Sequence, residues 1–209
     1  MWVGGEFLFD PENPLRFGDN VQFEETVERV KSLNHNETIF VDYNRRYVNE
    51  AGLSQVEKRR ICYLYGLYSE EERASPTDTI RPDEYKWITL SKVTNFRMSA
   101  LTFNSHLLHY DESYCKEVEG YPKVVVQAPL LFEIALQFWL NRAGKGKDVK
   151  RIKYKVSRPV FVDQQVKVCF KEMDGRKWKL WLEDSGGETL SMLLTERPSA
   201  GPDKTCRAA

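Results

Sequence analysis

Two of the three histidines in this chain, His106 and His109, stand three residues apart. They lie in the run Phe96-Arg97-Met98-Ser99-Ala100-Leu101-Thr102-Phe103-Asn104-Ser105-His106-Leu107-Leu108-His109-Tyr110-Asp111. Glu119-Gly120-Tyr121-Pro122 and the apolar Val124-Val125-Val126 follow. An imidazole can move a proton at a carbon beside a carbonyl, and backbone N–H groups at the start of a helix can polarise that carbonyl. Such a helix begins just downstream, so the polar loop and the helix terminus can serve one substrate. An isolated H-x-x-H reads more simply as two loop side chains meeting local hydrogen bonds; here the surroundings decide.

The helix is predicted over Pro129 to Ala143 (PLLFEIALQFWLNRA), with Pro at its start and Gly144 just past its end. It is apolar nearly all round, since Leu130, Leu131, Ile134, Ala135, Phe138 and Trp139 cannot all face water. Strands come after it. Ile152, Tyr154 and Val156 alternate with Lys and Arg, then Val166, Val168 and Phe170 with polar neighbours. Met173-Asp174-Gly175-Arg176 is a hairpin turn into Trp178, Leu180 and Leu182, and Ser185-Gly186-Gly187-Glu188 turns again into Thr189 to Thr195. One buried helix followed by an antiparallel meander reads as an α+β domain in which a sheet curls around a helix, the hot-dog plan, an outline that other α+β folds share.

The first half repeats the meander. Pro14-Leu15-Arg16-Phe17-Gly18-Asp19 lies without gaps on Pro159-Val160-Phe161-Val162-Asp163-Gln164, and Val21 and Phe23 fall on Val166 and Val168. A strand is expected around Thr38–Val48, a turn at Asn49–Ser54 and a strand at Arg59–Leu67. The expected organisation is therefore an N-terminal partial repeat without a central helix (1–68), a charged, Pro-containing linker (69–84), a complete C-terminal repeat (85–197) and a disordered tail (198–209).

Composition excludes several classes. Lys plus Arg and Asp plus Glu each total 31, so there is no basic excess for a nucleic acid. Cys62, Cys115, Cys169 and Cys206 show no C-x-x-C spacing and read as free thiols, and a structural zinc site is not expected. No apolar run approaches the roughly 20 residues of a membrane-spanning helix. The N-terminal residues resemble neither a secretory signal nor an Arg-rich transit peptide.

The stretch Phe96 to Asp111, with Glu119-Gly120-Tyr121-Pro122 and Val124 to Leu130, resembles the MaoC-like (R)-specific hydratases. It is most similar to the branch of type 2 3-hydroxyacyl-thioester dehydratases of mitochondrial fatty-acid synthesis and mesaconyl-CoA hydratases. Met1-Trp2-Val3-Gly4-Gly5 and Pro14 to Asp19 resemble the first repeat of that branch, and the likeness spans roughly residues 1–197. It implies a double hot dog in one chain, whose first repeat is incomplete: the family's earlier strand and first central helix precede the point at which this sequence starts. The sheet of that repeat is then expected to leave an apolar face open, including Phe7, Phe9, Val21 and Phe23, for which a homodimer is the expected cover.

The resemblance also implies roles. The family holds and splits a water with an Asp and a His five residues apart; His109 falls on the histidine and Asn104 on the Asp. Asn104 can orient a water or a 3-hydroxyl but cannot take its proton. His109 then does more of the acid–base work, or a carboxylate such as Asp111 contributes, although Asp111 also reads as an N-cap for Glu112–Val118. Where the family carries His-Gly before the helix, this chain has Gln127-Ala128; the Ala128 N–H is the expected oxyanion donor. His106 supports the loop and, with Gln127 and Leu131, is expected to meet the substrate. No metal or redox cofactor is implied, because the thioester itself acidifies the α-carbon. The implied activity is dehydration of a (3R)-3-hydroxyacyl thioester, or hydration of the enoyl thioester, with coenzyme A or acyl carrier protein as the substrate carrier. A mitochondrial location follows from the resemblance, and a cytoplasmic one is the alternative. The alternative functions are a thioesterase using Glu133, the one carboxylate on the helix, and a non-catalytic acyl-binding protein. The basic residues Arg142, Lys145, Lys147, Lys150 and Arg151 read as a solvated loop, or as a docking surface for the carrier's phosphates or acidic groups.

Overall fold

The structure is a computed structural model and describes residues 1–33, 37–69, 80–146, 148–187 and 189–196. The strands are β1 (Trp2–Phe9), β2 (Gln22–Leu33), β3 (Thr38–Asn49), β4 (Gly52–Leu64), β5 (Glu84–Thr89), β6 (Arg151–Val156), β7 (Gln165–Glu172), β8 (Lys177–Glu183) and β9 (Thr189–Glu196). The helices are α1 (Lys92–Leu101), α2 (Glu112–Glu117) and α3 (Ala128–Arg142), with a 3-10 turn at Leu107–His109. No helix among the described residues is long and apolar enough to cross a membrane.

All nine strands join one antiparallel sheet in the order β2-β3-β4-β1-β6-β9-β8-β7-β5. Its midline is the β1–β6 pair, in register Gly5↔Tyr154 and Phe7↔Ile152. Outward from this seam the two halves run in the same order, β1-β4-β3-β2 on one side and β6-β9-β8-β7 on the other, and β5 adds an edge strand to the second half only. The seam needs glycine at position 5, because a Cβ there would stand 2.1 Å from the Lys58 carbonyl oxygen and 2.3 Å from the Tyr154 hydroxyl.

The expected helix is present one residue earlier at each end, with Pro129 in its first turn. Leu131, Ala135 and Trp139, four residues apart, are its fully buried stripe. Trp139 meets Trp178 of β8 at 5.3 Å with the rings tilted by 48°, and Phe138 lies 5.5 Å from Phe170 of β7. The other apolar residues of the helix are only half-buried. At its N-terminal end Phe132 reaches across the seam to Trp2, Phe7 and Tyr154, with ring centroids 5.5–6.0 Å apart.

Four expectations are corrected. The strand expected at Arg59–Leu67 starts at Gly52 and ends at Leu64, because Asn49 closes a tight turn by accepting the Ala51 N–H at 3.0 Å. Buried Ser54 and Glu57 had hidden its alternation. A strand, β5, begins at Glu84, the last residue of the expected linker; residues 70–79 of that segment and the tail from 197 lie outside the described residues. Phe7 and Phe9 are not left open with Val21 and Phe23. They pack against the α3 core, whereas Val21 and Phe23 are 42% and 51% exposed. Finally, Lys92–Leu101, read as part of a loop, is helix α1, capped where Ser91 Oγ accepts the Thr94 N–H at 3.2 Å.

Candidate active site

Helix α1 presents an inverted face. Its buried residues are the polar Asn95 and Ser99, one turn apart, while Val93, Phe96 and Leu101 face water. Burying a carboxamide is tolerable only if its polar atoms are paired. Asn95 meets that condition fully: Nδ2 donates to the His109 carbonyl at 2.8 Å and the Val125 carbonyl at 2.9 Å, and Oδ1 accepts the Gln127 N–H at 3.0 Å. One side chain thereby ties the histidine turn, the Val124–Val126 segment and the entry to α3 into a single unit.

His109 closes the 3-10 turn, with its N–H on the His106 carbonyl at 3.1 Å. Its Nδ1 lies 2.9 Å from the Val125 carbonyl oxygen. A carbonyl only accepts, so Nδ1 carries the proton and Nε2 keeps its lone pair. Burial pushes the His109 pKa below its ordinary 6.5, outweighing the opposite effect of the Val125 hydrogen bond, and the nearby His106 depresses it further. The ring is thus held neutral, with one basic nitrogen.

Asn104 follows the end of α1. Phe103 adopts a left-handed φ of 52°, and the chain turns so that the Asn104 N–H bonds the Ser99 carbonyl at 2.9 Å. Asn104 Oδ1 accepts the His106 N–H at 3.1 Å, which leaves Nδ2 as its available donor. His106 Nε2 lies 3.6 Å from Glu119 Oε1, and the two imidazoles meet edge to face at 5.8 Å.

At the start of α3 the donors are nearly all spoken for. The Leu130 and Leu131 N–H groups both bond the Gln127 carbonyl, at 3.0 and 3.2 Å, and Pro129 has no N–H. Ala128, the first helical residue, therefore offers the one uncommitted N–H of that turn, at the positive end of the helix dipole.

These groups meet in a cavity of about 290 Å³, lined on one side by Asn104, His106, His109, Ala128 and Leu131. The first half of the chain contributes a further part of the wall: Trp2 and Val3 of β1 with Arg59 and Ile61 of β4. Of the residues expected to act on or meet the substrate (His109, Asn104, Ala128, His106, Gln127 and Leu131), Gln127 alone is absent from the lining. It is 1% exposed and turns inward, donating from Nε2 to Ser99 Oγ at 2.6 Å. Asp111 is the N-cap of α2, accepting the Tyr114 N–H at 2.9 Å. Glu133 is exposed, bonded to Gln137 at 2.9 Å and outside the cavity. The basic residues beyond α3 do not line it either: Arg142 faces Glu84 and Arg151 is paired with Glu6, while Lys147 lies outside the described residues. Sequence reasoning missed Asn95 and the wall from the first half; the only trace of Asn95 was a polar pair, Asn95 and Ser99, at helical spacing.

Residues 1–162 match the family described as hydroxyacyl-thioester dehydratase type 2. The mitochondrial hydroxyacyl-thioester dehydratase type 2 of Schizosaccharomyces pombe is 30% identical over 155 residues, covering 71% of this chain and 50% of that protein. Mesaconyl-C(4)-CoA hydratase of Chloroflexus aurantiacus is 29% identical over 170 residues, 77% of this chain and 57% of that protein. The chain thus spans about half the length of these relatives. Among solved structures, a MaoC-like dehydratase from Phytophthora capsici superposes with a TM-score of 0.73 at 12% identity, over 96% of this chain and 72% of that one, and so shares the α+β hot-dog fold. With a family match over more than three quarters of its length, the chain belongs to the hydroxyacyl-thioester dehydratase type 2 family.

Proposed function

We propose that this chain dehydrates a (3R)-3-hydroxyacyl thioester to the trans-2-enoyl thioester, and catalyses the reverse hydration. The observation that carries the reading is the convergence, in one cavity, of a neutral histidine with a single basic nitrogen and an uncommitted helix N-terminal N–H. The thioester oxygen would sit on the Ala128 N–H, which steadies the enolate-like charge as it develops. His109 Nε2 would take the α-proton, and Asn104 Nδ2 would hold the 3-hydroxyl or the incoming water. The thioester supplies the acidity of the α-carbon, so the reaction asks for no cofactor beyond the coenzyme A or carrier protein that bears the acyl group.

The similarity to the fission-yeast protein supports a mitochondrial setting and an acyl thioester substrate. The matching strand orders on either side of the seam support a duplicated hot dog whose first copy, residues 1–68, shows no helix among its described residues, with the chemistry held by residues 85–197. A second copy of the chain covering the exposed Val21, Phe23, Val27 and Val30 is the partner that this open face supports. Replacing His109 by Ala should lower crotonyl-CoA hydration by on the order of 100-fold or more. Unchanged turnover in that variant removes His109 from the mechanism.

A further inference from the structure

Dehydration moves two protons, one off the α-carbon and one onto the departing hydroxyl. No carboxylate side chain lines the cavity among the described residues. Apart from the arginines Arg59 and Arg158, which do not give up protons, the titratable side chains of its lining are two imidazoles, His106 and His109; Ser157 and Asn104 carry no ionisable group, and the Met1 amine is tied to the Cys62 carbonyl. His109 has a single nitrogen to offer, because Nδ1 is committed to Val125. Asn104 anchors the loop through the His106 N–H, which fixes where the second imidazole is attached.

We propose that His106 is a second catalytic residue: it protonates the leaving hydroxyl in dehydration and takes the proton from water in hydration. The inference rests on the reading of His109 as the base at the α-carbon. The α- and β-carbons of the substrate are adjacent, and the two rings stand edge to face with centroids 5.8 Å apart, so one imidazole can serve each carbon. Outside the cavity lining, the Glu119 carboxylate lies 3.6 Å from His106 Nε2 and can balance a positive charge on the ring. Glu119 is itself held, since the Tyr114 hydroxyl donates to Oε1 at 2.9 Å, and the Tyr114 ring meets His106 edge-on at 6.2 Å.

In the dehydration step His109 Nε2 takes the α-proton, and the C–H electron pair becomes the α,β double bond. The β C–O bond breaks with its electrons on oxygen, and that oxygen receives the proton of His106 and leaves as water. His109 ends protonated and His106 neutral, and exchange with solvent restores both.

The leaving group separates the two roles. Chloride departs without needing a proton, so 3-chlorobutyryl-CoA requires only the base, whereas 3-hydroxybutyryl-CoA requires base and acid. With His106→Asn, elimination from the hydroxy substrate should fall by on the order of 100-fold, and by at least about 30-fold more than elimination from the chloro substrate. Glu119→Gln should shift the same ratio in the same direction, and His109→Asn should lose both reactions alike. His106 is 52% exposed at its side chain, so its replacement costs little packing, and thermal melting checks that the fold persists. Equal losses on the two substrates, or no loss on either, would show His106 to be structural or idle and overturn the assignment. Retention of both reactions in His109→Asn would instead sink the base assignment, and the role for His106 would go with it.

Discussion

Ala128→Pro is a substitution that should damage chemistry while sparing the fold. The N–H of a first helical residue has no partner within the helix, and proline is well tolerated there because its fixed φ suits that position. The preceding residue must be extended, and Gln127 already is, at φ −63° and ψ 130°. The substitution therefore removes one donor and puts a ring carbon in its place, with no helical hydrogen bond lost. Removing one preorganised oxyanion donor costs about 2.7–4 kcal/mol in transition-state stabilisation, or roughly 100- to 1,000-fold in kcat. No other donor in the turn is free to substitute, since Leu130 and Leu131 both bond Gln127 and residue 129 is proline. The assay is loss of enoyl absorbance on crotonyl-CoA, with far-UV circular dichroism and a melting curve to compare stability. A variant that melts with the parent and turns over at the parent's rate would show that the Ala128 N–H does not carry the oxyanion.

Three further outcomes are expected. Because burial lowers the His109 pKa and its neutral form is the base, the acid limb of kcat/KM should fall below pH 6.5; a limb at or above 6.5 contradicts the assignment. The same depression means that the unfolded chain binds more protons than the folded one in that window. His109 then contributes stability above its unfolded pKa that is lost as pH falls through the folded value, and urea melts of the parent and His109→Asn should differ accordingly. Asn95→Ala leaves the His109 carbonyl and the Gln127 N–H buried without their partner and should cost about 2–5 kcal/mol in urea unfolding, while kcat falls with the loosened histidine turn. A loss under about 1 kcal/mol would mean that the hub is not what holds the loop.

The elements that were legible in the sequence announce themselves by period. Alternation marked β6, β7 and β8, and capping residues marked the ends of α3 to within one residue. Period fails where the inward residues are polar. Helix α1 buries Asn95 and Ser99 and exposes Val93 and Phe96, so a search for an apolar stripe passes over it. Ser54 and Glu57 conceal the start of β4 in the same way. His109, Asn104, His106, Ala128 and Leu131, expected from the family resemblance, line one cavity. Gln127 is drawn away from it by Ser99, a partner 28 residues earlier and beyond the reach of local reading. The wall from Trp2, Arg59 and Ile61 was hidden for a similar reason, since it exists only once β1 has paired with β6.

That seam divides labour within the site. His106, His109, Asn104 and Ala128 come from the second half, while the first contributes Met1, Trp2, Val3, Arg59 and Ile61. Arg59 in that wall is held by Glu57 at 2.6 Å and packs over the Trp2 ring at 5.5 Å, so this part of the cavity is shaped by contacts among first-half residues. Under the proposed function, substitutions there would change which acyl groups fit while the proton-transfer geometry stays fixed, so that one half would set the choice of substrate and the other the reactivity.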